Sequence, residues 1–398
     1  MKNLTRRDAV AGVAANITIL KPETVFGSQA NSSVSFGIIG TGGRGQYVGQ
    51  LMTNDKNARI VAICDKYPDR IDQAKTKIPG ADKVPSYKDY RQLLADKNID
   101  AVLIASPVFL HPEHFEAAVM ARKHVYCEKP GGADVAGCKR ILKAWGKRDP
   151  SKRIQFGFQQ RFSAQYLKAY SYFTQGKIGE VKLMMSYWVL GYLAPTGVPP
   201  AYPDLPEEEQ RIRRWGAWMK YSGGPIVEQD CHGVDVLNWF AKDVHPASAA
   251  GRGGVRFPVP YGDWNTDHHD IIYHYPGGLD GWLISIKHTA GYRDVKEQFY
   301  GSKGMLETSR KYMKLHGMTP NVRFTSADDL RDTSLMEREE SNADITNEAT
   351  QAFFKGILTG EPYDMTRTAV DSTLTSILGR MAYESKREVT WEEMLKSA

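Results

Sequence analysis

At 398 residues the chain is long for one hydrophobic core, so its length favours two packed domains with a cleft between them. A composition of 41% hydrophobic and 25% charged residues belongs to a soluble globular protein, and no apolar run is long enough to span a bilayer, which argues against a membrane partner. The formal net charge of +6 is dispersed, with no Lys/Arg block and no zinc-finger spacing, which argues against a nucleic-acid partner.

Thr5-Arg6-Arg7-Asp8, the mildly apolar stretch Ala9 to Leu20 and a Gly-Ser-Gln-Ala segment ending at Ala30 resemble a twin-arginine export signal with its linker, over residues 1–33. Such a signal carries a folded protein across a membrane, which suits a periplasmic enzyme that loads its nucleotide in the cytoplasm first. The alternative is an N-terminal arm on a cytoplasmic enzyme. Cys64, Cys127, Cys138 and Cys231 form no CxxC pair, so they read as buried thiols rather than metal or redox centres.

From Val34 onward, short apolar runs alternate with helical stretches. Val34 to Ile39, Arg59 to Cys64, Ala101 to Ala105 and His124 to Cys127 read as buried strands, with helices over Gln46 to Met52 and Glu113 to Ala121. This alternation predicts an α/β, Rossmann-type parallel sheet domain over residues 34–155. Beyond Phe156, Lys182 to Val189, Asp270 to Tyr275, Trp282 to Lys287 and Glu297 to Tyr300 read as strands of a second, α+β domain over residues 156–345, with a large, mainly antiparallel open sheet. A Pro-rich excursion, Pro195 to Pro206, interrupts them. Two helices between Thr346 and Lys386, parted by Gly360-Glu361-Pro362, form a C-terminal segment, residues 346–398, that packs back on the core. An antiparallel sheet with one open face tends to be covered, which predicts a homodimer or homotetramer.

Gly40-Thr41-Gly42-Gly43-Arg44-Gly45 is a GxGxxG turn between a strand and a helix, the context in which glycines admit a pyrophosphate to a helix N-terminus. Asp65 ends the second strand where an acid accepts hydrogen bonds from the adenosine ribose. Its charge opposes a 2′-phosphate, so NAD is preferred to NADP, with Lys66 as a partial offset.

Cys127-Glu128-Lys129-Pro130-Gly131 lies at the end of the fourth strand, the edge where open α/β sheets bind ligands. Burial beside an oxidised nicotinamide would lower the proton affinity of Lys129 and fit it to remove a hydroxyl proton. Together with Ser106, Pro107 and His111 after the third strand, the GxGxxG turn and Glu128-Lys129-Pro130 resemble the Gfo/Idh/MocA family, whose members act on sugars and polyols with NAD(P). Gly223-Gly224-Pro225-Ile226-Val227-Glu228-Gln229-Asp230-Cys231-His232 resembles the family's second motif, with an acid four residues before a histidine, a spacing that puts Glu228 and His232 on one helical face.

The resemblance implies Lys129 as acid/base with His232 and Glu228 assisting. It also implies that Ser106, Pro107, His111 and Glu128 border the cofactor, and that Arg161 borders nicotinamide and substrate. Glu228 stands where the family usually has Asp, and Asp230 where a small residue is usual. Either carboxylate can orient His232 or bind a hydroxyl pair. Trp188 and His268 are further candidates for binding a carbohydrate. Asp267-His268-His269-Asp270 enters a strand where neighbours face opposite ways, so no metal is expected there. The leading expectation is hydride transfer from a sugar, polyol or glycoside. The alternatives are glycoside cleavage through transient oxidation and elimination, and a nucleotide-sensing protein without chemistry.

Overall fold

The computed structural model describes residues 33–190, 202–257, 262–288, 292–318 and 334–398. The twin-arginine reading and the first part of the Pro-rich excursion, up to residue 201, lie outside the described residues.

The first domain holds six strands: β1 (Val34–Ile39), β2 (Ala58–Cys64), β3 (Ser86–Tyr87), β4 (Ala101–Ile104), β5 (His124–Cys127) and β6 (Ile154–Phe156). They pair in parallel in the order β3-β2-β1-β4-β5-β6. Every residue of β1 and β4 is buried, because helices cover both faces, and this is why their sequences are continuously apolar rather than alternating. The order reverses between β1 and β4, so the loops leaving these two strands diverge and open a crevice at their carboxyl ends. The helices Gly43–Thr53 and His111–Met120 start at that edge.

The expected domain break at 155/156 falls inside β6. The C-terminal pair of helices forms as expected, over Ile345–Thr359 and Thr366–Ser385. The first returns to the parallel sheet, with Phe354 against Phe36 and Phe353 edge-on to Tyr126, ring centroids 5.6 Å apart in each pair. Both phenylalanines are fully buried, and each contributes about 2–3 kcal/mol.

The second sheet comprises β7 (Val181–Val189), β8 (Ser248–Gly254), β9 (His268–Tyr275), β10 (Leu279–Ile286), β11 (Asp294–Gly301), β12 (Gly304–Ser309), β13 (Tyr312–Gly317), β14 (Leu335–Glu340) and β15 (Val389–Thr390). Their order is β14-β13-β12-β11-β7-β10-β9-β8-β15, and β7 with β10 is the one parallel pairing among them. Trp188, Ser285 and His269 stand in one cross-strand row and therefore share a face. The helix Cys231–Phe240 packs on that face. A Cβ on Gly233 would lie 2.1 Å from the Ser186 hydroxyl oxygen, so the glycine lets helix and β7 approach closely enough to bring His232 beside Trp188. On the opposite face Trp282 and Ile286 of β10 remain 39% and 37% exposed.

Candidate active site

The glycine turn has two kinds of glycine. Gly40 has φ +92°, and a Cβ on it would meet the Ser106 nitrogen at 2.5 Å; a Cβ on Gly45 would meet the Gly40 oxygen at 2.0 Å. Those two close the turn. Gly42 and Gly43 face open space at the start of the helix Gly43–Thr53, whose N-cap has no side-chain bond, leaving its first amide N–H groups for an anion. The Asp65 carboxylate accepts from the Thr41 backbone N–H at 2.8 Å and the Tyr67 N–H at 3.0 Å. It borders a cavity of about 280 Å³ walled also by Ile39, Tyr90, Ser106 and Pro107. An open cradle, a helix N-terminus and an adjoining acid-edged cavity fit a dinucleotide. Lys66 is turned to Glu209, 2.8 Å away, rather than toward Asp65. Tyr67 also donates to Glu209, and Arg213 pairs with Asp69 at 2.8 Å, so the helix Glu207–Arg213 braces the adenosine side of the crevice.

At the end of β5 the buried Glu128 pairs with Arg44 at 2.9 Å, and Arg44 also donates to Gln159 at 3.0 Å. Gly157 lies against this carboxylate: a Cβ there would come within 2.7 Å of Glu128 Oε2. His111 does not offer its ring to the crevice, because Nδ1 and Nε2 lie 2.7 and 2.8 Å from the Pro130 and Ser106 carbonyls. Its place is to tie together the two loops bearing Ser106, Pro107 and Lys129.

Lys129, preceding a cis peptide bond to Pro130, donates to the Glu228 carbonyl and lies 3.4 Å from Glu228 Oε1. Burial is the strongest single influence and works against its charge, yet Glu228, with Cys231 and Glu128 behind it, outweighs burial and the pKa is raised. The expected lowering is thus reversed, because the acid of the second motif pairs with the lysine of the first. Glu228 sits in a single π-helical turn, Ile226–Asp230, before the helix Cys231–Phe240. This turn sends Glu228 to Lys129 while His232 stacks on Trp188 and meets Phe158 edge-on, with centroids 6.1 Å apart. Burial first, then the charges of Lys129, Arg310 and Arg44, push the His232 pKa well below its ordinary value, so the imidazole is neutral. Among the described residues His232 Nδ1 and Trp188 Nε1 are buried without a hydrogen-bond partner, a state that costs about 1–3 kcal/mol per group unless a ligand satisfies it.

Three expected site residues are not brought to this cluster. Arg161 is buried over Trp239, its guanidinium bonded to Asp235 at 2.8–3.0 Å and to Asp243 at 2.8 Å, so it serves the core rather than nicotinamide or substrate. Asp230 is fully buried, ion-paired with Lys287 and 2.7 Å from His269 Nε2, leaving no free carboxylate oxygen for a sugar. His268 alternates away from His269 to the other sheet face and pairs with Asp267 at 2.7 Å. Two residues missed by sequence reasoning stand close instead: Lys287 and Arg310, 5.9 and 5.4 Å from the Trp188 ring centroid. Beside them the buried Glu297 accepts from the Tyr166 hydroxyl at 2.8 Å, and burial pushes its pKa up to about 8.

A dinucleotide cradle opening on a lysine, an acid and a neutral histidine defines an NAD-dependent oxidoreductase acting on CH–OH groups. Residues 34–156 match the oxidoreductase family NAD-binding Rossmann fold, and residues 173–394 match the C-terminal alpha/beta domain of the same family. The chain belongs to the Gfo/Idh/MocA oxidoreductase family. It is 26% identical over 379 residues to a myo-inositol 2-dehydrogenase of Thermotoga maritima, covering 90% of this chain and 99% of that one. An inositol 2-dehydrogenase of Acidothermus cellulolyticus is 36% identical over 227 residues, 56% of this chain and 59% of that one. A solved structure of scyllo-inositol dehydrogenase from Lactobacillus casei with bound NAD(H) and scyllo-inositol shares the fold at a TM-score of 0.65 and 20% identity, covering 90% of this chain and 99% of that one. A levoglucosan dehydrogenase in complex with NADH and levoglucosan does so at 0.70 and 17%, with the same coverage.

Proposed function

We propose that the protein oxidises a secondary hydroxyl of a sugar or polyol, with Lys129, Glu228 and His232 handling the proton. NAD, seated on Gly40–Gly45 and Asp65, supplies the hydride acceptor. The observation that carries the reading is the Lys129–Glu228 pair beside a neutral His232 at the mouth of the glycine cradle. An ammonium cannot accept a proton, so Lys129 first passes one to Glu228, whose side chain is 22% exposed and can release it to solvent. The free amine then takes the substrate hydroxyl proton as the C–H hydride leaves. Neutral His232 accepts a hydrogen bond from a neighbouring hydroxyl of the substrate and so orients the reacting carbon, and Trp188 supplies an apolar wall for the ring.

The relatives named above support a polyol or sugar as the substrate class. The test is Lys129→Ala assayed on an inositol and hexose panel. Turnover is expected to fall roughly a hundredfold to ten-thousandfold, with NADH binding retained. Turnover within twofold of the parent on its best substrate removes Lys129 from the mechanism.

One observation favours a second reading, glycoside cleavage through transient oxidation. The brace of Glu209 and Arg213 over Lys66, Tyr67 and Asp69 suits a cofactor that stays bound between turnovers. Released aglycone without net NADH distinguishes it from simple oxidation.

A further inference from the structure

Arg310 follows β12 in the turn before β13 and presents its guanidinium 5.4 Å from the Trp188 ring centroid. Among the described residues it has no hydrogen bond and no carboxylate within ion-pair distance, and its Nε is buried without a partner. Burial pulls its pKa down, the mark of a cation lacking compensation.

The acids around it are otherwise engaged. Asp344 accepts from the Thr346 N–H at 2.8 Å and from the Tyr47 hydroxyl, Glu128 is paired with Arg44, and Glu297 is held toward its neutral form. Arg310, Arg44 and Lys311 together line a cavity of about 500 Å³, with Tyr47, Gln159 and Asp344 on its walls. Arg44 touches Glu128, the neighbour of Lys129, and Arg310 touches Trp188, the neighbour of His232. The charges of Arg310 and Arg44 also act on His232, so the cavity adjoins the reacting centre, and it shares no wall with the Asp65 pocket.

We propose that this cavity receives an anionic substituent of the substrate, a carboxylate or sulfate ester on the sugar, with Arg310 as its principal partner. An uncompensated guanidinium offers paired N–H donors matched to either oxyanion. A neutral polyol would leave that charge half-desolvated and unpaired. The inference rests on the sugar-oxidising reading above and narrows its substrate class.

The experiment measures binding of D-glucuronate, D-glucose 6-sulfate and D-glucose by calorimetry to protein saturated with NADH, then repeats it with Arg310→Met and Arg310→Lys. Saturation with NADH removes the cofactor's own phosphates as a competing source of the anion. At least one anionic sugar is expected to bind roughly tenfold to hundredfold tighter than glucose. That ratio should collapse toward one in Arg310→Met and recover in part in Arg310→Lys.

Equal affinities for the three sugars in the parent protein overturn the inference, even if Arg310→Met fails to fold. An anionic sugar that binds only when NADH is left out also overturns it, since the cavity then serves the cofactor phosphates. Turnover of neutral inositols without preference for any anion sinks the inference and leaves the sugar-oxidising reading standing. Absence of turnover on every sugar, neutral or anionic, sinks that reading itself.

Discussion

His232 lies parallel to Trp188, ring centroids 5.6 Å apart and planes 12° from coplanar, so the indole forms the wall that keeps water from the imidazole. Trp188→Ala removes that wall. The His232 pKa should rise toward about 6.5, and a protonated imidazole cannot accept from a substrate hydroxyl. Below roughly pH 6.5 turnover is therefore expected to fall more steeply with pH in the variant than in the parent, where only the Lys129 titration acts. Trp188→Phe, which keeps a ring, should retain most of the parent profile. Superimposable pH–rate curves for all three proteins would show that the stack has no part in the chemistry.

The pairing of Lys129 with Glu228 predicts a pH shift of known sign. The carboxylate raises the Lys129 pKa, so Glu228→Gln should lower it and make free amine available at lower pH. The rising limb of kcat against pH is expected to move down. The plateau should drop about tenfold to a hundredfold, because the proton outlet is gone. A falling plateau with an unmoved limb would show that Glu228 binds substrate without tuning the lysine.

Asp230 and Lys287 form a buried pair beneath the π turn. Burial opposes the Asp230 charge, but Lys287 and His269 outweigh it and hold the carboxyl below its usual range. A depressed acid contributes stability that is present above its unfolded pKa and is lost as pH falls through the folded value. Asp230→Asn strands the Lys287 ammonium and should cost about 3–5 kcal/mol at neutral pH, with much of it recovered in Asp230→Asn/Lys287→Met. Urea titration reads both, and a double variant weaker than the single would contradict the pairing.

Glu297 runs the other way. Its folded pKa of about 8 stands above the ordinary 4.5, so between those values the native protein holds a proton the unfolded chain has lost. Stability therefore declines as pH rises across that window, by about 1.4 kcal/mol per unit at most. Glu297→Gln is expected to flatten the decline measured in urea between pH 5 and about 8.5. An equal decline in parent and variant would place the responsible group elsewhere.

Trp282 and Ile286 leave an apolar strip on the outer face of the nine-stranded sheet. We propose that a second copy covers that strip, in which case Trp282→Glu should shift the mass by light scattering to that of one chain. A parent that already elutes as one chain at micromolar concentration rules this out.

The legible parts of the sequence are those whose geometry is local. Gly40 to Gly45, Glu128-Lys129-Pro130 and Glu228 to His232 are contiguous motifs, and β1 and β4 are continuously apolar because both faces are covered. Arg310 and Lys287 were invisible because sheet pairing brings them to Trp188 from about a hundred residues or more along the chain, and no local pattern encodes that pairing. Arg161 was misread because a buried arginine and a cofactor-facing one look alike in sequence. Asp235, three residues after His232 on the same helix, was the available sign that a core cation had to be matched. The two-residue strands Ser86–Tyr87 and Val389–Thr390 are too short to carry a period at all.

Gly157 makes no contact a substrate would notice, yet it fixes how tolerant the reacting centre is of change. Any side chain there must displace the Glu128 carboxylate, which would carry Arg44 with it and redraw the border between the glycine cradle and the Arg310 cavity. A single added methyl group at this position would press on the Glu128 carboxylate and, through its pair with Arg44, reach both binding compartments at once.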